Sequence, residues 1–454
     1  MSSEHTTTAA TDSAAPGEDV AAGEIVLEAQ GVKKHFDQSD SFVDKLFGAS
    51  GSVKAVDGVD LQVRSGETLA VVGESGCGKS TLGQTLLNLH KPTAGAVRFR
   101  GDEISGLSGK QMRPYRKELQ MVFQDPLASL NPRQTVGDIV TAPMEVHGIG
   151  DSDADRLERA EALLERVGLK QSHIDRYPSQ FSGGQQQRVG IARALAVEPD
   201  VIVADEPVSA LDVSVQAQIL NLMEDLQDEL GLSLVFIAHD LSVVRQVSDR
   251  VAVMYLGEVV EIAPTDELFE DPKHPYTKSL LSAVPRIDPS ARTDRVVLRG
   301  SVPSPIDPPS GCHFQTRCAA VIPGEGWEGD QDDFRSAFTF RNRVEDGSLE
   351  VEVVRDRLEA DHGSVTDDDV AARIVETTLP GELEDLPADA AESVREAARL
   401  VVDGRDDEAA DLLREACPSP CAGDHPTQVD VGEGRRAACH RVDPAYDAPA
   451  EVDD

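Results

Sequence analysis

Short apolar runs alternate with stretches of helical spacing through the first half of this chain. Residues 68–72 (TLAVV), 119–123 (LQMVF), 200–204 (DVIVA) and 232–238 (LSLVFIA) are nearly uninterrupted. Runs of that kind read as strands covered on both faces, the pattern of a parallel sheet flanked by helices. Residues 25–30 (IVLEAQ) and 53–63 (VKAVDGVDLQV) alternate apolar with polar side chains instead. That alternation predicts an antiparallel edge, the first strand ending in a turn at Gly31, with an irregular insertion over residues 37–52. Residues 92–101 read as a turn and one more short strand. Apolar spacing of three and four predicts helices over 81–89, 189–196 and 213–230, and over 136–167 with breaks at Pro143 and at Gly148 to Gly150. The whole predicts an α/β fold with an antiparallel β edge and a helical subdomain at about residues 125–195. In the second half, residues 349–354 (LEVEVV) read as a strand and residues 388–402 and 408–416 as helices, an exposed subdomain ornamenting a C-terminal extension.

Candidate chemistry sits at the ends of the predicted strands, where α/β folds place ligand-contacting groups. The run 68–72 leads into Gly73-Glu74-Ser75-Gly76-Cys77-Gly78-Lys79-Ser80-Thr81, and a helix leads out. Glycines there let backbone N–H groups converge on phosphate oxygens at the positive end of the helix, with Lys79 neutralising the β/γ-phosphates and Ser80 coordinating Mg²⁺. A plain glycine-rich turn with an incidental lysine is the bland alternative. Gln124 ends the 119–123 run. Asp205 and Glu206 end the 200–204 run, a pair suited to holding Mg²⁺ and to orienting or deprotonating water. His239 ends the 232–238 run. Phe181 precedes Ser182-Gly183-Gly184-Gln185, whose Ser and Gln have capping-box spacing before a helix with two glycines at its start, a second anion site or an ordinary capped helix.

The 454 residues carry 82 acidic and 43 basic side chains, a net charge of −39. A surface so anionic argues against binding duplex nucleic acid, which needs Lys and Arg against phosphates. It also argues against docking on anionic lipid through a basic patch. At molar salt the screening length falls to about 3 Å, so the composition reads as adaptation to a salty cytoplasm, that of a halophile. With 40% hydrophobic residues the chain is not a disordered acidic protein. No apolar stretch is long enough to span a bilayer. Residues 1–24 lack the order of a signal peptide and read as a disordered tail. Of six cysteines, Cys77 lies in the glycine-rich loop, while Cys312, Cys318, Cys417, Cys421 and Cys439 lie toward the C-terminus, which points to metal ligation before disulfides.

Taken in order, the phosphate loop, Gln124, Ser182-Gly183-Gly184-Gln185, Asp205-Glu206, Ser209 to Asp212, and His239 resemble the nucleotide-binding subunit of an ABC transporter, over residues 25–285. The resemblance implies an ABC-type P-loop ATPase with a RecA-like core, working as a head-to-tail dimer with two ATP molecules in its interface. Each ATP would be held by Gly73, Ser75, Gly76, Cys77, Gly78, Lys79, Ser80 and Thr81 of one subunit and Ser182, Gly183, Gly184 and Gln185 of the other. Catalysis would fall to Glu206, His239 and Gln124, Mg²⁺ to Ser80, Gln124 and Asp205, and communication across the interface to Asp212. The family stacks an aromatic on adenine, and His35, followed by Phe36, stands in the apparent position.

A finer likeness to the oligopeptide/dipeptide importer branch lies in Val122-Phe123-Gln124-Asp125-Pro126-Leu127-Ala128-Ser129-Leu130-Asn131-Pro132 and in residues 274–285 (HPYTKSLLSAVP), with wording nearest the F-type subunit. It implies a heterodimer with a second ATPase on the cytoplasmic face of the membrane, under two permeases fed by an extracytoplasmic binding protein, with residues 125–144 against the permease. The cargo implied is di- and oligopeptides, with sugar oligomers and nickel complexes as alternatives. A soluble ABC ATPase acting on nucleic acid or ribosomes is the rival class; its usual coiled coils, tandem cassettes and basic arms are missing from the sequence. Residues 286–454 resemble the branch's C-terminal extension, interrupted by an acidic insertion at about 319–416. Four cysteines there, Cys312, Cys318, Cys421 and Cys439 with Cys417 spare, suit a [4Fe–4S] cluster or Zn²⁺ equally by count, with free thiols as the bland alternative.

Overall fold

The computed structural model describes residues 23–37, 51–283, 298, 300–432 and 434–446. Most of the expected N-terminal tail and of the 37–52 insertion lies outside the described residues, as do the last two residues of the 274–285 motif. The chain forms two compact units. One runs to Asp271 and takes in Pro305–Asp307; the other comprises Pro272–Ser304 and Pro308–Asp454.

In the first unit, β1 (Ile25–Asp37) pairs antiparallel with β2 (Ser52–Arg64) and with β4 (Ala94–Phe99), and β4 with the short β5 (Asp102–Glu103). A second sheet has the order β10 (Glu258–Pro264), β9 (Arg250–Tyr255), β3 (Thr68–Val72), β8 (Ser233–Ala238), β7 (Val201–Asp205), β6 (Leu119–Val122), parallel except for the β9–β10 pair. Every residue of β3, β7 and β8 is buried, which is why they read as unbroken apolar runs. Helix α1 (Lys79–Leu86) lies between the sheets: its Leu82 and Leu86 share one apolar core with Leu27 and Phe99 on one side and Val203 and Ile237 on the other. Gly83 lets it approach, since a Cβ there would stand 2.8 Å from Ile237 and 2.9 Å from Val203. Arg250, nearly buried, donates to Glu67 at 3.0 Å and to the Gln62 carbonyl at 3.2 Å, fixing the end of β2 to the start of β9.

Helices α2 (Val136–His147), α3 (Asp153–Arg166) and α4 (Gly183–Leu195) form the helical part of this unit, and α5 (Val213–Leu230) follows β7. Two expectations are corrected here. Gly31 does not end the first strand: β1 continues through it as a bulge, with a register shift between Ala29 and Val32, Gly31 at φ +54° and its N–H donating to Asp60 at 2.8 Å. Pro143 does not break its helix. α2 runs through it because Val136, Ile139, Val140 and Met144 bury one face, and it stops at Gly148 in the left-handed conformation.

The second unit holds a helical bundle of α7 (Gln331–Glu345), α8 (Val351–His362), α9 (Asp367–Thr378), α10 (Ala388–Val402) and α11 (Asp406–Ala416), following α6 (Leu241–Val247) of the first unit. Phe334, Phe338, Phe340, Ile374, Val394 and Leu413 fill its core. The strand expected at 349–354 is instead the start of α8. Its alternating letters also satisfy helical spacing, and Val351, Val354 and Leu358 pack on the bundle core at that spacing.

Candidate functional site

The loop from β3 to α1 has a shape only glycine permits. Gly73, Gly76 and Gly78 hold φ of +155°, +81° and +102°. A Cβ at Gly73 would lie 2.1 Å from the Met254 carbonyl oxygen, and one at Gly78 would lie 1.8 Å from that of Ala55. The loop folds over Lys79, which is 6% exposed and whose ammonium donates to the carbonyls of Gly73 at 2.8 Å and Glu74 at 3.0 Å. Ser75 and Gly76 face outward at the crest. Cys77 is buried in the apolar core and burial pushes its thiol up, so it serves the loop as packing.

One residue beyond Lys79, the Ser80 hydroxyl donates to Asp205 Oδ1 at 2.8 Å, joining the helix start to the end of β7. Asp205 is 4% exposed, and its carboxyl is pushed up, first by burial and then by the neighbouring Glu206 charge against the lowering effect of Ser80. A buried carboxylate and a hydroxyl at this spacing are hard oxygen donors of the kind Mg²⁺ takes, and a cation there would offset the desolvation of Asp205. The residues present fit the ion.

Glu206 gathers the strand-end groups. Gln124, just beyond β6, donates its amide to Glu206 Oε2 at 2.8 Å, and His239 Nδ1, beyond β8, lies 3.4 Å from the same oxygen. Parallel pairing of β6 with β7 and of β7 with β8 brings the three side chains to one sheet edge. Glu206 itself sits at φ +43°, uncommon for a residue with a Cβ, and is held by its N–H donating to the Ile237 carbonyl at 3.0 Å. Nothing in the letters foretold that strain.

Ser182 and Gln185 belong to a different cluster. Ser182 precedes α4, its N–H donating to the Gln185 side chain at 3.1 Å, and Ser182 and Gly183 are exposed. Gly183 and Gly184 abut Leu211 and Val215 at the start of α5. Asp212 caps that helix, accepting from the Val215 N–H at 3.0 Å and from Ser214 at 2.6 Å, bonds that hold its carboxyl below the usual range. His35 lies on β1 with its ring 3.2 Å from Asp57, which also takes Lys33 at 2.7 Å, while the Phe36 ring meets His90 edge-on.

A glycine loop folded over a buried lysine, a buried carboxylate–hydroxyl pair and a strand-end glutamate flanked by Gln and His are now in place on an α/β core. Against known proteins, a family model described as "ABC transporter" matches residues 56–209 and one described as "Oligopeptide/dipeptide transporter, C-terminal region" matches residues 260–324. The oligopeptide transport ATP-binding protein AppF of Bacillus subtilis is 54% identical over 304 residues, 66% of this chain and 91% of the relative. The oligopeptide transport ATP-binding protein OppF of Salmonella typhimurium is 51% identical over 301 residues, 66% of this chain and 90% of the relative. The chain belongs to the ATP-binding subunits of the oligopeptide/dipeptide ABC transporter family. As an ABC ATPase it couples ATP hydrolysis to transport. A third model, a domain of unknown function (DUF8228), matches residues 331–434 of this ABC ATPase, the stretch that carries the bundle.

The second unit of the ABC ATPase draws together four of its cysteines. Burial first, and then the thiols of Cys421, Cys318 and Cys439, push the Cys312 thiol well above its usual range, and Cys318 responds likewise to burial, Cys421 and Cys439. Backbone bonds knit the pieces: the Cys312 N–H donates to the Cys421 carbonyl at 2.8 Å, and Gly311 lies so close to Cys421 and Ala422 that a Cβ would meet them at 2.5 and 2.8 Å. Among the described residues no three of these sulfurs crowd within 4.8 Å of one another. Cys417 stands apart in the bundle core, its thiol pushed up to about 11 by burial with only Arg341 opposing. Sequence reading missed the buried arginines around this cluster. Arg335 and Arg441 donate to backbone carbonyls at Gln315, Thr316 and Ala320, yet nothing in the letters sets them apart from the other charged residues of the extension.

Proposed function

We propose that this ABC ATPase powers the import of di- and oligopeptides, with Glu206 activating the water that attacks ATP. The observation that carries the mechanism is the convergence of Gln124 and His239 on one Glu206 oxygen, next in sequence to the Asp205 that bonds Ser80. In this reading the N–H groups of the 73–79 loop and the Lys79 ammonium bind the β/γ-phosphates. Ser80, Asp205 and Gln124 would hold Mg²⁺, which would supply charge neutralisation to the phosphates. Glu206 orients and deprotonates water, His239 contacts the γ-phosphate, and Gln124 reports on both metal and permease. His35 or its neighbour Phe36 stacks on adenine. Ser182 to Gln185 complete the ATP site of a second ATPase subunit, and Asp212, one turn from Gly184's contact with Val215, senses that interface. Replacing Glu206 with Gln tests this: ATP binding persists while turnover is lost.

Peptide cargo is supported by the names of the relatives and by the C-terminal region model at residues 260–324. The partners follow: a second, different ATPase, two permeases and a binding protein, with this chain peripheral on the cytoplasmic face of the membrane. Among the described residues no helix is long and apolar enough to cross one. Leu127, exposed at 52% within the 125–144 segment, offers a permease an apolar side chain to grip. The charge of −39 suits a cytoplasm rich in potassium salt. Co-purification of tagged chain with permeases at high potassium tests the assembly, and recovery with ribosomes alone overturns it.

For the second unit, Cys312, Cys318, Cys421 and Cys439 hold a metal centre. Four buried thiols that act on one another suit a [4Fe–4S] cluster or Zn²⁺ equally by count. Anaerobic purification with iron, sulfide and zinc analysis tests it: Cys312→Ser loses the metal and Cys417→Ser keeps it.

A further inference from the structure

The inserted bundle reaches into the cysteine centre through one buried cation. Arg335, on α7 and 5% exposed, spreads its guanidinium over two consecutive carbonyls, Gln315 at 3.2 Å and Thr316 at 2.7 Å. Those carbonyls lie midway along the loop from Cys312 to Cys318, which is closed on itself by the Gln315 N–H to Cys312 at 3.0 Å and the Cys318 N–H to Gln315 at 3.3 Å. A second buried arginine, Arg341, sits six residues on along the same helix and bonds elsewhere, donating to the Cys417 carbonyl at 2.9 Å and pairing with Glu345 at 3.0 Å.

Burying a guanidinium is costly unless charge or hydrogen bonds offset it. Two carbonyls satisfy part of the fork. Four thiolates around a metal centre carry about two negative charges in excess of a dipositive core, and a fixed cation behind their loop offsets them.

We propose that Arg335 is a positioning residue for the four-cysteine centre: it holds the Cys312–Cys318 loop by its carbonyls and sets a permanent positive charge beside the metal-bound thiolates. This rests on the metal reading of the cysteines given above. It also gives the domain of unknown function a role, since folding of the bundle and loading of the metal then support each other.

The test uses the full chain, loaded anaerobically, as wild type, Arg335→Met, Arg335→Lys and Arg341→Met, each checked for helix content. Release of metal to excess chelator and the reduction potential of the iron–sulfur load are read. Removing a group that holds metal ligands in place costs roughly 10- to 100-fold in metal affinity, so Arg335→Met releases metal about tenfold faster or more and its potential becomes more negative, because a nearby cation favours the added electron. Arg335→Lys keeps the potential near wild type while releasing metal faster than wild type. Arg341→Met lowers thermal stability and leaves both readouts unchanged. If Arg335→Met loses helix content, Arg335→Lys decides: release at the wild-type rate overturns the inference. Equal behaviour of Arg335→Met and Arg341→Met also overturns it. A wild-type chain that takes up no metal at all sinks the cysteine reading itself, an outcome distinct from a loaded wild type matched by Arg335→Met.

Discussion

Changing Glu206 to Gln alters charge at the strand-end cluster and little else. The stem is the same length, so the cost of φ +43° is unchanged. With its oxygen in the Oε2 position, the Gln side chain goes on accepting from Gln124 at 2.8 Å and keeps that oxygen 3.4 Å from His239 Nδ1, while its amide takes the place of the other carboxylate oxygen. Stability therefore stays within about 0.5 kcal/mol of wild type, as for substitutions that create no cavity or orphaned group. What disappears, in the role proposed for Glu206, is the base. General-base catalysis contributes roughly 10²- to 10⁴-fold, which is about 3–5 kcal/mol of barrier. Asp205 responds in the opposite sense. Its carboxyl is raised first by burial and also by Glu206, so removing that charge lowers it and keeps Asp205 ionised to more acid pH. The acid limb of Mg²⁺-dependent nucleotide binding then moves down in pH. Phosphate release in the assembled complex at high potassium, beside equilibrium binding of ATP, checks both. Turnover within tenfold of wild type, with ATP binding intact, would refute the role given to Glu206.

Gly78→Ala forces a Cβ to 1.8 Å from the Ala55 carbonyl at φ +102°; expect a loss of at least about 2 kcal/mol in urea unfolding and no measurable ATP binding. Arg250→Met leaves the buried Glu67 carboxylate without its counter-charge, holding only the Arg64 N–H at 2.8 Å, which costs about 3 kcal/mol and appears as a lowered unfolding midpoint. Glu118 is pushed up to about 7, chiefly by burial and then by its bond to Asp200. A carboxyl raised on folding penalises the native state above its folded pKa, and the penalty is relieved as pH falls from about 7 toward the unfolded value. Glu118→Gln is therefore more stable than wild type at pH 8, with the gap closing toward pH 5; thermal unfolding across that range reads it, and a constant gap contradicts it.

The first unit was legible wherever one physical demand dominated the letters. Strands buried on both faces can be built only from apolar runs, so β3, β7 and β8 announced themselves. A loop whose Cβ positions collide with backbone at Gly73 and Gly78 has to be written with glycine. Where two demands competed, the sequence misled. Gly31 satisfies a turn or a bulge equally, and pairing of β1 on both sides, with β2 and β4, decided for the bulge. Pro143 forbids one helical hydrogen bond, but a buried face on either side of it outweighs that loss. The letters 349–354 fit period two and period 3.6 alike, and the choice belonged to the bundle core. The convergence of Gln124, Glu206 and His239 follows from strand order, which periodicity does not encode.

Bringing the four cysteines together raises a folding problem that the bundle solves. Cys318 and Cys421 are about a hundred residues apart in sequence, and closing a flexible loop of that length costs about 4 kcal/mol. Helices α7 to α11, linked by short connections and packed on one core, form through contacts more local than the cysteine pairing itself. Once formed, they deliver their two ends together. Beside α7 the Gly324 N–H donates to the Pro418 carbonyl at 2.7 Å, and the Ser419 hydroxyl donates to Ile322 at 2.7 Å. Cys421 then lies two residues past Ser419, with its own N–H bonded to that side chain at 3.2 Å. Much of the entropy of the long loop is thereby lost in forming the bundle core, so an insertion between the two halves of the cysteine cluster costs their approach far less than its length implies.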